Sequence, residues 1–234
     1  MPAVGNASAQ AQLSAKDRDS LRNKISRTAG SINARVGVSM LLLESGDTLS
    51  YRAEERFPMM SVYKLPIAIA VLKELDRGTI FMEKYLLIQK DSIQTGEEEM
   101  YADVNFPDRK ITVGQLLTLM LVQGSNTACD LLLSMMRGPS GIQPYLDDLD
   151  IHDMAITNTE REINANPILK DNNWTTPNEL VRLLTIAYSS DYLSTKNHDF
   201  LWDKMTETVT GPDRLKALLP KNTLVAHRTG TGYG

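Results

Sequence analysis

The placement of strand-like runs constrains this chain most. Residues 35–43 (RVGVSMLLL) read as a strand, Ser45-Gly46-Asp47 as a turn and 48–52 as a returning strand. A strand pattern reappears only at 223–231. The runs between are of another kind. Residues 62–76, 113–123 and 127–136 are long and apolar enough for buried helices, and 197–209 and 212–219 are further helical stretches. Ser14 and Asp17 make a capping-box-like start to an amphipathic helix over 15–29, with Leu21 and Ile25 on its apolar face. Thr176 reads as the N-cap of another helix, with Pro177 at the first position and Glu179 at the third. Pro66 sits uneasily in the first buried run, although near an N-terminus its missing N–H costs less. Strands at both ends with helices between predict an α+β protein. Its sheet would combine the N- and C-terminal segments, residues 1–54 and 207–234, and residues 55–206 would form an all-α insertion. The active site is expected in the cleft between the two parts.

The 234 residues, 42% of them hydrophobic, suffice for a substantial core. A formal net charge of −4 gives no electrostatic reason to expect nucleic acid or a membrane surface as partner. No apolar run approaches the ~18–20 residues that span a bilayer. Cys129 is the single cysteine, so neither an internal disulfide nor a multi-Cys metal site is open to the chain, and its apolar setting, Ala128–Leu133, suggests a buried structural thiol. His152, His198 and His227 lie far apart without metal-ligand spacing, so no metal and no cofactor is expected. Ala7-Ser8-Ala9 has the small-x-small form of a signal-peptidase site, and a disordered polar tail fits it equally well.

Chemistry enters at Ser61-Val62-Tyr63-Lys64, the sole Ser-x-x-Lys of the chain, at the start of an apolar helical run. On a helix, residues i and i+3 share a face, so the Lys amine can reach the Ser hydroxyl and act as its base. An N-cap Ser followed by a solvated Lys fits the same four residues. Three further segments follow in order: Gly124-Ser125-Asn126 after a predicted helix, Glu160-Arg161-Glu162-Ile163-Asn164 in a polar stretch, and Arg228-Thr229-Gly230-Thr231-Gly232 at the last predicted strand. Read singly, Glu160 and Glu162 fit a solvated charge pair, Asn126 a helix cap, Arg228 a surface charge and the Thr-Gly run a turn.

Together, in this order and approximate spacing, these segments resemble the Ser-x-x-Lys, Ser-Asp-Asn and Lys-Thr-Gly elements of the class A serine β-lactamases. Phe57-Pro58-Met59, Asn173-Trp174-Thr175 and Cys129-Asp130 also match, the last resembling the extended-spectrum branch. The resemblance implies a β-lactamase/transpeptidase-like fold and hydrolysis of a small β-lactam by a periplasmic or secreted monomer. It implies Ser61 as nucleophile, Lys64 as proton acceptor or relay, and Glu160 as activator of the deacylating water. Asn126 and Asn164 would orient water and substrate, and Arg228, Thr229 and Thr231 would bind the substrate carboxylate. The Ser61 and Thr231 N–H groups would form the oxyanion hole, and Tyr101 would be an aromatic wall at the cleft mouth. An acylated but non-hydrolysing penicillin-binding or sensor-like domain, or a catalytically degraded homologue, remains the alternative.

The chain departs from the pattern in three places. Arg228 stands for the usual Lys, keeping the charge and gaining bidentate geometry. Gly124 stands for the Ser whose hydroxyl passes a proton to the departing lactam nitrogen, so acylation is expected to slow by the ~10²–10⁴-fold typical of general acid assistance. Family members continue through two more strands and a helix, so a chain that stops at Gly234 is expected to be C-terminally incomplete and to fold poorly alone.

Overall fold

A computed structural model describes residues 13–102, 110–189 and 191–232. Ala7-Ser8-Ala9 therefore lies outside the described residues. The first helix, α1 (Ala15–Gly30), starts where Ser14 accepts the Asp17 N–H at 3.1 Å. It lies against a hairpin of β1 (Val38–Leu41) and β2 (Thr48–Tyr51), paired antiparallel with Val38 opposite Tyr51. A short strand, β3 (Phe57–Pro58), leads into one 3₁₀ turn (Met60–Tyr63) and then α2 (Lys64–Asp76).

Helix α2 is the centre of the molecule. Residues 64–72 are all buried, and a helix apolar on every side must be surrounded by others. Strands β4 (Tyr85–Leu87) and β5 (Lys110–Thr112) pair beside it and lead into α3 (Val113–Thr118), which continues as a wider π-turn over Leu119–Gln123. Helix α4 (Asn126–Met135) packs on α2 and α3, followed by α5 (Gln143–Asp148), β6 (Met154–Ala155) and α6 (Glu160–Ala165). Then come β7 (Trp174–Thr175), α7 (Pro177–Ser189) and α8 (Thr195–Thr206). Helix α7 lies against β1, and α8 against α2. Strand β7 sits between β3 and β6, with Trp174 opposite both Pro58 and Ala155. Residues 156–173 thus leave and return at one point, forming a closed loop that carries α6.

Three expectations are corrected. Residues 223–231 form no strand: the segment has no regular secondary structure, with Leu224 83% exposed and no ladder partner among the described residues. Apolar alternation specifies a strand only when a neighbouring strand accepts its hydrogen bonds. The sheet that was to join both ends of the chain is accordingly just the β1–β2 hairpin, and 212–219 holds only a 3₁₀ turn, Leu215–Leu218. Residues 55–206, expected to be all-α, also carry β3 to β7. Those strands are two or three residues long, too short to leave a periodic signal.

Candidate active site

Ser61 lies in the 3₁₀ turn ahead of α2, and the residue before it, Met60, is held at φ +47°, a conformation that a non-glycine residue adopts under strain. Lys64 opens α2 three residues on and is 0% exposed, so its ammonium must be paired. Its Nζ donates to Ser61 Oγ and to Asn126 Oδ1, each at 2.7 Å, and forms an ion pair with Glu160 Oε1. Ser61 Oγ is 3.4 Å from the same Glu160 oxygen. Hydroxyl, ammonium, amide and carboxylate therefore meet at one nitrogen, drawn from three chain segments.

Read singly, Glu160 and Glu162 fit a solvated charge pair, but in the fold they do different work. Glu162 is a capping residue: its carboxylate accepts the Thr159 N–H at 2.9 Å while Thr159 caps α6 in return, and those bonds hold its acidity above the ordinary carboxylate level. Glu160, two positions earlier, points inward and is buried. Its helix is hung from Asp130 on α4, which accepts the Glu160 N–H at 2.8 Å and the Arg161 N–H at 2.9 Å. Burial raises the Asp130 carboxyl to about 6 against the pull of those two bonds. Asn173 closes the loop from the other end, accepting the Thr157 and Asn158 N–H groups at 2.8 and 2.9 Å, while its own carbonyl takes the Met59 N–H.

Asn164 does not meet Ser61 or Lys64. It is exposed and donates to Gln94 Oε1 at 2.6 Å, and Gln94 in turn donates to Asp130. Tyr101 is placed differently from the expected cleft wall. It is 1% exposed, and its hydroxyl meets Ser125 Oγ at 2.7 Å, beneath α4 rather than at the mouth. Ser125 is turned the same way, away from Ser61: it caps α4 at Ala128 N and donates to Glu97 Oε2. It therefore offers no hydroxyl to replace the one missing at Gly124. Burial pushes the Cys129 thiol up to about 12, as suits an inert core group.

The opposite side of Ser61 is built by 228–231. Gly230 passes so close that an added Cβ would lie 2.5 Å from Met59 O and 3.2 Å from Ser61 N, so only glycine brings this segment beside the nucleophile's N–H. Thr229 meets Thr210 hydroxyl to hydroxyl at 2.7 Å. Arg214, which the sequence did not single out, donates to Gly230 O and to Thr231 Oγ1. Arg228 donates from Nε to Ser61 O at 3.1 Å, and its buried Nη1 finds no acceptor among the described residues. Burial lowers its guanidinium to about 10, still charged at neutral pH. Gly124 ends the π-turn at φ +82°, and a Cβ there would meet Thr210 Cγ2 at 3.2 Å and the Arg228 Nη atoms at 3.4 and 3.5 Å. Arg228 therefore fills the space that a side chain at 124 would need.

Two open depressions lie away from this chemistry. One of 650 Å³ is lined by Arg35, Arg56 and Trp174, and the other lies between the hairpin and α7; neither includes Ser61. Among the described residues, no group of three His, Cys, Asp or Glu side chains gathers as a metal site, and no helix is long and apolar enough to cross a membrane.

Comparison with known proteins agrees with this geometry. The sequence profile of the β-lactamase enzyme family matches residues 20–234. β-Lactamase VEB-1 of Pseudomonas aeruginosa is 36% identical over 216 residues, 91% of this chain and 72% of that protein. Extended-spectrum β-lactamase PER-1 of the same organism is 32% identical over 199 residues, 85% of this chain and 65% of that protein. The crystal structure of TLA-1 extended-spectrum β-lactamase superposes with a TM-score of 0.86 at 32% identity, covering 92% of this chain and 79% of that one. A β-lactamase of Chitinophaga pinensis gives 0.85 at the same identity and coverage. The α+β fold is theirs, and the chain belongs to the class A branch of the β-lactamase enzyme family.

Proposed function

We propose that the chain hydrolyses the β-lactam amide bond through an acyl-enzyme on Ser61. The observation that carries this reading is the single nitrogen, Lys64 Nζ, which touches Ser61 Oγ and Asn126 Oδ1 and pairs with Glu160. Ser61 Oγ attacks the lactam carbonyl, and its proton passes to the Lys64–Glu160 pair. The developing oxyanion takes the N–H groups of Ser61 and Thr231, each worth about 3–4 kcal/mol by analogy with other acyl transferases. The C–N bond then breaks, and the nitrogen takes up the proton held by the Lys64–Glu160 pair, carried by water because Gly124 has no hydroxyl to relay it; this slows acylation and leaves Glu160 free as a base. Water activated by Glu160 next attacks the ester and frees Ser61. Asn126 orients the substrate amide, and Asn164 acts on the water only through Gln94 and the loop it steadies. Arg228, Thr229 and Thr231 receive the substrate carboxylate, Arg228 supplying the positive charge.

No cofactor enters this chemistry, and the partner is the small β-lactam alone. The Ala7-Ser8-Ala9 pattern supports a periplasmic or secreted protein, and the family reading supports a monomer acting in antibiotic inactivation. The test is incubation with a chromogenic β-lactam, followed by intact mass over time. Colour with a transient adduct on Ser61 supports hydrolysis; a permanent adduct, or neither colour nor adduct, overturns it.

A further inference from the structure

Glu97 has no place in the chemistry above, yet its buried carboxylate accepts three hydrogen bonds beside it. It lies in the run Gln94-Thr95-Gly96-Glu97-Glu98-Glu99, where nothing in the sequence separates it from its two acidic neighbours. In the fold it is 8% exposed. Oε1 accepts the N–H of Asn126, and Oε2 accepts the N–H of Thr127 at 3.0 Å and the hydroxyl of Ser125 at 2.7 Å. Among the described residues no basic side chain pairs with it. Its charge is compensated by those donors and by the N-terminal end of the ten-residue α4.

The position matters because of what lies on the far side of Asn126. The backbone of that residue is fixed by Glu97, and its side-chain Oδ1 accepts from Lys64 Nζ, the same nitrogen that donates to Ser61 Oγ. In the family's Ser-Asp-Asn element the residue before Asn is acidic, and here it is the neutral Ser125. Glu97 brings a carboxylate to that helix start from another segment. The segment is itself clamped there: Gln94 N donates to Thr127 Oγ1, and the Gln94 side chain links Asp130 with Asn164. One bracket, 94–97, therefore ties α4 to the loop that carries Glu160.

Resting on the Ser61 acyl-enzyme reading, we propose that Glu97 is a positioning residue. Its buried carboxylate holds the first turn of α4 where Asn126 keeps Lys64 aligned on Ser61. A glutamine here would keep one acceptor oxygen and turn its N–H₂ group toward the donors of the other, one at the Oε1 position or two at the Oε2 position, opening the turn without changing its volume. An aspartate keeps the charge and shortens the reach.

The experiment is single-turnover acylation of wild type, Glu97→Gln and Glu97→Asp by a chromogenic cephalosporin, with adducts followed by intact mass. The acylation rate constant is expected to fall about 10–100-fold in Glu97→Gln and by less in Glu97→Asp, the range a misplaced catalytic group brings. A merely structural residue would lower the reacting fraction and leave the rate constant of the folded fraction alone. Unchanged rate constants in both variants, or a loss confined to the amplitude, overturn the proposal. If Glu97→Gln yields no folded protein, the Glu97→Asp rate constant decides by itself. A wild type that forms no Ser61 adduct would instead overturn the acyl-enzyme reading, and this proposal with it.

Discussion

The two sides of Ser61 are built on opposite plans. On one side, Lys64, Asn126 and Glu160 satisfy one another inside the chain, and Asp130 and Glu97 hold the backbone beneath them. On the other, 228–231 is half-exposed, lacks a sheet neighbour among the described residues, is held by Arg214 and Thr210, and leaves Arg228 Nη1 without an acceptor. The first side is complete without substrate and suits chemistry that must be ready in advance. The second side has a donor still to be matched and suits binding. Pre-organisation is thus concentrated where the proposed mechanism moves protons.

The contrast can be attacked from the complete side first. Glu160→Gln keeps the shape of the buried contact but removes the carboxylate that the proposed mechanism uses as base. The Ser61 adduct should then persist, with deacylation slowed by about 10²–10⁴-fold, as intact mass against time would record. Unslowed turnover would mean that the complete side is not where water is activated.

Next in size is the acid dependence of Asp130. Its folded carboxyl titrates near 6, above the ordinary carboxylate value, so the folded state holds that proton more tightly than the unfolded chain does. This contribution to stability is present at low pH and is lost as pH rises from about 4 through 6. Denaturant melts of wild type and Asp130→Asn should show wild type losing about 3 kcal/mol relative to the variant between pH 4 and 7. A constant difference would show that burial does not govern this carboxyl.

The open side is tested by a double-mutant cycle. Gly124→Ser restores a hydroxyl but places a side chain at positive φ and against the Arg228 guanidinium, so alone it should destabilise by about 1–2 kcal/mol. Combined with Arg228→Lys, which vacates that space, the loss should shrink and acylation should exceed that of either single variant. Strict additivity in melting and in acylation rate would separate the two positions. The smallest effect is expected from Arg214→Ala, which releases Gly230 O and Thr231 Oγ1 at an exposed site. A rise in KM of about fivefold with kcat little changed corresponds to about 1 kcal/mol of lost uniform binding.

The buried helices were legible because continuous apolar runs of that length leave few alternatives, and the caps at Ser14 and Thr176 mark real starts. The four segments of the site were legible as chemistry, and the fold brings Ser61, Lys64, Asn126 and Glu160 together. What failed had a different physical origin. The 223–231 pattern describes a strand's faces and says nothing of its neighbour. An aromatic in a polar stretch, Tyr101, reads the same whether it lines a cleft or plugs the floor beneath a helix. Asn164 is four positions from Glu160, yet its side chain turns to Gln94. Glu97, Asp130 and Arg214 act through backbone groups of residues distant in sequence, and such contacts leave no trace in spacing.

The closed loop 156–173 has a consequence for how such a protein can diversify. Both of its ends are pinned at one point by the pairing of Ala155 with Trp174, and the arm bearing Glu160 is fixed separately by Asp130 and Asn173. The remaining tip, around the exposed Ile168, carries little of that fastening. Residues can be exchanged, added or removed there with little displacement of the carboxylate. The tip is therefore the part of the loop where a lineage can vary its reach toward new substrates while its hydrolytic machinery stays in register.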